Sequence, residues 1–134
     1  MIDPNMLDGI TLAYVGDCVM ELYVRKMLVN AGISGSRDLN AAAQQMVNAA
    51  AQALSFHSVE ENLTAEELEI FKRGRNCGHL NVPKHAKMSD YRTATGFEAL
   101  LGYLTLTSRE ERANELLSLS VRLPKDYQNE KDKQ

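Results

Sequence analysis

Apolar side chains recur along this chain at intervals of three and four residues, and that spacing predicts an α-helical protein. The first predicted helix spans about residues 8–30, with Asp8 as its N-cap and Gly32 just beyond its end. Its apolar stripe consists of Leu12, Val15, Val19 and Leu22. The pattern contains no internal repeat and no convincing strand, so an all-α fold is expected.

Caps and composition predict the remaining helices. A second helix opens near Ser36 and runs through the Ala-rich stretch to about Phe56. Capping boxes at Thr64–Glu67 and Ser108–Glu111 predict helices that end near residues 77 and 119. Ser89 is expected to cap a helix that runs to about residue 105, after a loop over residues 78–88.

The length of 134 residues fits one domain with a single core. We expect this domain to span residues 1–122 and the polar segment 123–134 to be a disordered tail. The N-terminal residues resemble neither a signal peptide nor a membrane span, so we expect a cytoplasmic protein without a membrane partner.

Two cysteines, Cys18 and Cys77, belong to no C-x-x-C pair, which disfavours a structural disulfide and a zinc site. A metal site built from Cys77, His79 and His85 is disfavoured as well, because three ligands fall short of a tetrahedral set.

The net charge of −3 conceals a basic segment. Residues 72–92 carry a net charge of +5, and the rest of the chain carries −8. Such a segment is typical of a contact with a polyanion, but a solvated flexible loop explains it equally well.

Two carboxylates, Asp17 and Glu98, interrupt helical stretches that are predicted to be largely buried. Acidic side chains are rarely buried unless they are paired or bind a metal. Gly16 precedes Asp17, and a glycine inside a helix is typical of a close approach by another helix or a ligand.

If the two helices face each other, a hard cation such as Mg²⁺ relieves the repulsion between the two acids. The alternative for Asp17 is a structural acid that is bonded to Tyr14, Tyr91 or a basic side chain. From the residues alone, both interpretations remain open.

The segment Leu12-Ala-Tyr-Val-Gly-Asp-Cys-Val-Met-Glu21 resembles the signature helix of the ribonuclease III family. Thr95-Gly-Phe-Glu-Ala-Leu-Leu-Gly-Tyr103 resembles the second motif of that family. Lys72-Arg-Gly-Arg-Asn76, Pro83-Lys84 and Tyr91-Arg92 resemble its compact bacterial Mini-III branch, which lacks a double-stranded-RNA-binding domain. Together the similar segments lie within about residues 7–120.

This resemblance implies a homodimeric all-α endonuclease that cleaves double-stranded RNA with Mg²⁺ and leaves 5′-phosphate ends. The Mini-III branch implies maturation of the 23S ribosomal RNA precursor and leaves open whether a ribosomal protein on the precursor assists. By position, Asp17 matches the catalytic Asp and Glu98 the metal-binding Glu, so both are the expected catalytic and metal-binding residues.

The chain departs from the family pattern at three acidic positions, where Ile10, Ala13 and Thr95 stand. Two of the four usual metal-associated carboxylates therefore remain. Glu21, one turn after Asp17, receives no role from the resemblance.

Without a separate RNA-binding domain, the basic segment is the expected RNA contact, recognising duplex shape through phosphates and 2′-hydroxyls. The expected RNA-binding residues are Lys72, Arg73, Arg75, Asn76, Lys84, Lys87 and Arg92. His79 and His85 are further candidates, although an exposed loop histidine is more often only solvated.

Apolar residues of the signature helix serve either the core or a dimer seam. Tyr14, Cys18, Met20 and Leu101 are candidates for that seam. Besides the endoribonuclease, two further hypotheses remain: a non-catalytic RNA-binding relative, and a helical interaction module with an inert pair of acids.

Overall fold

The structure, a computed structural model, describes residues 1–78 and 82–132. Seven α-helices and two short 3₁₀ turns make up this part of the chain, and it contains no strand. The all-α expectation is therefore confirmed. The helices are α1 (Gly9–Asn30), α2 (Ser36–Val47), α3 (Ala49–Val59), α4 (Ala65–Arg75), α5 (Met88–Leu106), α6 (Glu110–Ser120) and α7 (Lys125–Asp132). None of the described helices is both long and apolar enough to cross a membrane.

Helix α1 begins and ends as the sequence predicted. The Asp8 carboxylate accepts a hydrogen bond of 2.7 Å from the backbone N–H of Thr11, which satisfies one of the free donors at the helix start. Gly32 follows the C-cap with φ +91°, a left-handed conformation that glycine adopts without a steric penalty.

The predicted second helix is in fact two helices, α2 and α3, separated at Asn48. The Asn48 side chain donates to the carbonyl of Gln44 and accepts a hydrogen bond of 2.8 Å from Ala51 N–H. This local bonding competes with the helical ladder, so it ends α2 and caps α3. The helix propensity of the surrounding alanines did not reveal the break.

Two predicted caps are wrong. Helix α5 begins after Lys87 rather than at Ser89, and it has no side-chain cap bond. Helix α6 begins after Arg109, and Ser108 lies outside it with φ +59°. The predicted capping box at Thr64 is confirmed, because the Thr64 and Glu67 side chains each bond the other residue's backbone N–H.

Helix α5 is the centre of the fold and packs against α1, α3, α4 and α6. Ten consecutive or nearly consecutive residues of α5 are buried, including Phe97, Leu100 and Leu104. Phe56 of α3 stacks on Phe71 of α4 with ring centroids 3.8 Å apart, and Phe97 meets Phe56 edge-on at 5.7 Å. These rings join three helices into one core.

A buried ion pair fastens α6 to the start of α4. Arg112 donates hydrogen bonds of 2.8 and 2.9 Å to the two oxygens of Glu67, which is 3% exposed. Its guanidinium also donates to the carbonyl of Asn62 at 2.7 Å. The bonds from Arg112 hold the pKa of Glu67 below its usual range.

The last segment differs from the irregular tail that the sequence predicted, because residues 125–132 form helix α7. Leu123 and Tyr127 are partly buried against the core. These two apolar side chains attach the beginning of the predicted tail to the rest of the fold, which a composition argument does not detect.

Candidate active site

Helices α1 and α5 lie so close together that only glycine fits at two positions of their contact. A methyl group on Gly16 would lie 1.6 Å from the backbone oxygen of Glu98, and one on Gly102 would lie 1.9 Å from that of Leu12. Neither glycine can carry a larger side chain without separation of the helices. The close approach that Gly16 suggested is therefore present, and α5 is the partner.

This contact brings the two sequence-predicted acids together. The carboxyl groups of Asp17 and Glu98 lie within hydrogen-bonding reach of each other. Asp17 is exposed, contrary to the expectation of a buried acid, while Glu98 is partly buried.

Burial and the neighbouring acids change the protonation of Glu98. Loss of water contact, followed by the hydrogen bond and negative charge of Asp17, raises the pKa of Glu98 to about 9. Glu21 adds a smaller repulsion from the next turn of α1, although it also pairs with Arg25 at 3.1 Å. Without a cation, Glu98 therefore holds a proton at neutral pH.

The alternative partners for Asp17 are not used. Among the side chains that the structure describes, neither a tyrosine nor a basic group forms a hydrogen bond or an ion pair with Asp17. The pairing of Asp17 with Glu98 is thus the principal interaction of its carboxylate with the fold.

A third polar residue at this place, Gln52 of α3, was missed by the sequence analysis. Its side chain lies near Glu98 and lowers the pKa of that carboxyl slightly, and the residue is only 4% exposed. The sequence does contain a sign of this position. Gln52 lies four and seven residues before the apolar Phe56 and Val59, so it shares their buried helix face although its side chain is polar.

A family model for the ribonuclease III domain matches residues 10–109, a range that contains both acids. The chain belongs to the ribonuclease III family. Membership confirms the all-α fold and makes the chain an endoribonuclease, as the sequence resemblance implied.

Individual relatives within the ribonuclease III family agree with this assignment. The Mini-ribonuclease 3 of Enterococcus faecalis is 42% identical over 124 residues, which cover 91% of this chain and 94% of that protein. The Mini-ribonuclease 3 of Streptococcus pneumoniae is 41% identical, with coverages of 90% and 96%. A crystal structure of a Fusobacterium nucleatum protein superposes with a TM-score of 0.77 at 29% identity and covers 84% of this chain and 90% of that one.

The positions that depart from the family's acidic pattern provide no substitute carboxylate. Ile10 is 45% exposed and apolar, and Ala13 is buried. Thr95 is also buried, and its hydroxyl donates to the carbonyl of Tyr91 at 2.9 Å. Within residues 1–78 and 82–128, no group of three or more His, Cys, Asp or Glu side chains is arranged to hold a metal ion. The site of this ribonuclease III-family chain therefore rests on one pair of acids.

Two of the expected RNA-binding arginines also hold the fold together. Arg73 donates to the backbone carbonyls of Asn5 and Leu7 at 3.1 and 3.3 Å, which fixes the N-terminal turn. Arg92 donates to the carbonyls of Arg75 and Cys77 at 3.2 and 3.1 Å, beyond the end of α4. Both arginines therefore have a structural role that does not require RNA.

Three further candidates have weaker local contacts. Arg75 donates to the Asn76 side chain at 3.0 Å and lies 5.5 Å from the centre of the Phe71 ring. Lys72 pairs with Glu69 at 3.8 Å, a surface contact that stabilises the fold little. All three side chains are at least partly exposed, so they remain accessible to a ligand.

Lys84 and Lys87 are exposed, and neither has an acidic partner within the described part of the chain. His85 beside them is exposed as well. His79, the other histidine candidate, lies outside the described residues. The two lysines are therefore the basic candidates whose charge is most available to a polyanion.

Two of the residues considered for a dimer seam are excluded. Met20 and Leu101 are 1% and 0% exposed, because they fill the core of the single chain. Tyr14, by contrast, is 80% exposed, and Cys18 one turn later is exposed too. An outward-facing apolar surface on α1 thus includes Tyr14 and adjoins Asp17.

Proposed function

We propose that this chain is a Mg²⁺-dependent endoribonuclease that cleaves double-stranded RNA and leaves 5′-phosphate ends. We further propose that it matures the ends of the 23S ribosomal RNA precursor in the cytoplasm. The observation that carries the proposal is the pairing of Asp17 and Glu98, which two different helices contribute at the two acidic motif positions of the family. The curated relatives named Mini-ribonuclease 3 support the choice of substrate.

The residues present fit a divalent cation. Two neighbouring carboxyl groups repel each other when both are charged, and burial of Glu98 together with the influence of Asp17 raises the pKa of Glu98. Asp17 and Glu98 would hold the ion, which Mg²⁺ permits because it retains several waters and needs few protein ligands. When bound, such an ion supplies an activated water and stabilises negative charge on a phosphate.

The two acids of this chain have different tasks in that arrangement. Asp17 is exposed, so its carboxylate meets both solvent and a phosphodiester that lies along α1. Glu98 would have to be ionised to hold a cation, because a ligating carboxylate carries no proton. Its raised pKa therefore means that holding the cation would cost the loss of this proton.

The basic segment provides the RNA contact in this proposal. Lys84 and Lys87 bind phosphates through charge, and Lys72, Arg75 and Asn76 extend the contact along α4. Arg73 and Arg92 support it chiefly by holding the backbone. Phosphate contacts of this kind recognise the shape of a duplex and not its sequence.

A homodimer completes the proposal. Ile10, Tyr14, Cys18 and Leu22 are exposed at every fourth position of α1, on or beside the face that carries Asp17. If this stripe meets its own copy across a two-fold axis, one acid pair is available for each strand of an RNA duplex.

One gel tests the activity. Wild type, Asp17→Asn and Glu98→Gln are incubated with duplex and single-stranded RNA, each with and without Mg²⁺. We expect wild type to cut only duplex RNA and only with Mg²⁺, and both variants to lose at least about 100-fold in rate because the charge at the cation site is halved. Asp38→Asn, at an exposed acid of α2, is the matched control and should cut at the wild-type rate. Wild-type cleavage by Asp17→Asn would overturn the proposal.

The substrate is tested separately. A stem from the 23S ribosomal RNA precursor is compared with an unrelated duplex of equal length, each with and without added ribosomal proteins of the large subunit. Faster cleavage at a defined position in the precursor stem supports the maturation role. Equal, scattered cleavage of both duplexes contradicts it and leaves the endonuclease activity intact.

A second candidate function is a non-catalytic relative that binds structured RNA. The observation that favours it is that no group of three or more His, Cys, Asp or Glu side chains is arranged to hold a metal ion among the described residues. Salt-sensitive duplex binding by wild type without Mg²⁺-stimulated cleavage would select this function.

A further inference from the structure

Gln52 has a buried oxygen without a partner. Its Nε2 donates to the carbonyl of Val47 at 2.9 Å, while its Oε1 has no hydrogen-bond partner in the described part of the chain. Leaving a buried acceptor unsatisfied costs about 1–3 kcal/mol, so native proteins rarely tolerate it without a reason such as an ordered water or an ion.

The amide of Gln52 is fixed relative to the acid pair. A glutamine amide has two N–H donors and one acceptor oxygen. One N–H donates to Val47 at the end of α2, and the side chain also lies within hydrogen-bonding reach of Glu98 on α5. The second N–H is available to the neighbouring Glu98 carboxylate, and Oε1 is the free end of the amide.

The acid pair lacks the oxygen atoms that a hydrated cation requires. A Mg²⁺ ion held by Asp17 and Glu98 would keep several waters, and those waters would need acceptors around them. The positions of Ile10 and Ala13 offer none, and the Thr95 hydroxyl donates to Tyr91. Oε1 of Gln52 is the remaining buried acceptor at this place that is unused.

We propose that Gln52 is a positioning residue of the cation site, which holds the Glu98 carboxylate through its N–H and accepts a hydrogen bond from the cation's hydration shell through Oε1. This inference rests on the proposed function, because it needs a cation between Asp17 and Glu98. In this chain the amide compensates for acidic side chains that are missing from the family pattern.

Direct metal binding tests the role of Oε1. Mn²⁺ is titrated into the metal-free full-length protein, and the free ion is measured by its electron paramagnetic resonance signal. Gln52→Met preserves the length of the side chain and removes the amide, so we expect the Kd for Mn²⁺ to rise about 10-fold or more. Gln52→Glu restores an oxygen at the same position and should bind Mn²⁺ at least as tightly as wild type. Gln44→Met, at an exposed glutamine of α2, should match wild type.

A purely structural role gives a different pattern. If Gln52 only fills space, Gln52→Met and Gln52→Glu lower the thermal unfolding temperature of the metal-free protein and leave the Kd for Mn²⁺ unchanged. That result, or a Gln52→Glu variant that binds as weakly as Gln52→Met, overturns the inference. If Gln52→Met does not fold, Gln52→Asn, which withdraws the amide by one methylene, must show the same weakening.

The two proposals fail in distinguishable ways. A wild-type protein that neither binds Mn²⁺ nor cuts RNA contradicts the proposed function and, with it, this inference. A wild-type protein that does both, beside a Gln52→Met variant with unchanged Mn²⁺ affinity, contradicts this inference alone.

Discussion

At the scale of single residues, Glu98 carries the main electrostatic cost of the site. Its carboxyl group faces Asp17 and Glu21 from α1 and Gln52 from α3, and its pKa of about 9 lies far above the ordinary 4.5. A residue that served the fold alone would be replaced with benefit by a neutral one. The chain thus retains a destabilising acid where its proposed activity requires one.

The raised pKa of Glu98 predicts how the stability of the fold depends on pH. A carboxyl group with a higher pKa in the folded than in the unfolded chain binds its proton more tightly when folded, so stability falls as the pH rises from about 4.5 to about 9. Glu98→Gln removes that loss. In metal-free buffer we expect this variant to match wild type near pH 4.5 and to exceed it by about 4 kcal/mol at pH 8.

Urea unfolding at the two pH values measures the difference. Glu61→Gln, at an exposed acid, is the control and should show the wild-type dependence on pH. A Glu98→Gln variant with the same pH dependence as wild type would mean that Glu98 is ionised in the folded chain without a cation.

At the scale of helices, the contact between α1 and α5 determines how far apart the two acids lie. Gly16 and Gly102 bring the two backbones into direct contact, so no rotamer change can compensate for added volume. The spacing of Asp17 and Glu98 is therefore a property of the backbone.

Gly16→Ala tests this dependence. The added methyl group meets the backbone oxygen of Glu98, so we expect a loss of about 3 kcal/mol or more in the free energy of unfolding and a loss of cleavage. Gly78→Ala is the matched control, because a methyl group there has no neighbour within 4 Å. If Gly16→Ala leaves both the urea midpoint and the cleavage rate unchanged, the close contact between Gly16 and the Glu98 backbone is contradicted.

Sequence reasoning was accurate where the signal is local. Asp8, Gly32 and the Thr64 capping box act within one helical turn, and each lies where the pattern predicted. It failed at Asn48 and Ser108, because side-chain bonds and a left-handed backbone overrode propensity there.

For the site, the two acids were predictable because they interrupt apolar patterns and match family motifs. Gln52 was not, since its importance comes from residues 46 positions away in sequence that only the fold brings near. The backbone contacts of Arg73 and Arg92 were not predictable for the same reason, because their partners lie far away in sequence, and the RNA contact of these arginines stays a prediction.

At the scale of the whole molecule, the exposed stripe on α1 is the surface that remains to be covered. Tyr14 is 80% exposed and Leu22 61% exposed, and together they give the helix that carries Asp17 an exposed apolar surface. The proposed dimer covers this stripe.

Tyr14→Asp tests the dimer. We expect wild type to elute with about twice the chain mass of 14.9 kDa in size-exclusion chromatography with light scattering. Tyr14→Asp should elute as a monomer, because a charge in an apolar interface is costly. Leu119→Asp, at an exposed apolar residue of α6, should remain dimeric. A monomeric wild type, or a dimeric Tyr14→Asp, would contradict this prediction.

Arg92 links helix α5 to the backbone at the end of α4. It stands six residues before Glu98 on the same helix, roughly 9 Å along the axis, and it grips the backbone at the end of α4 from which the basic loop departs. The same helix thus carries Glu98 and the side chain that fixes the backbone at the start of the basic loop. In the proposed RNA complex, the position of the loop and the position of the acid pair would therefore depend on each other.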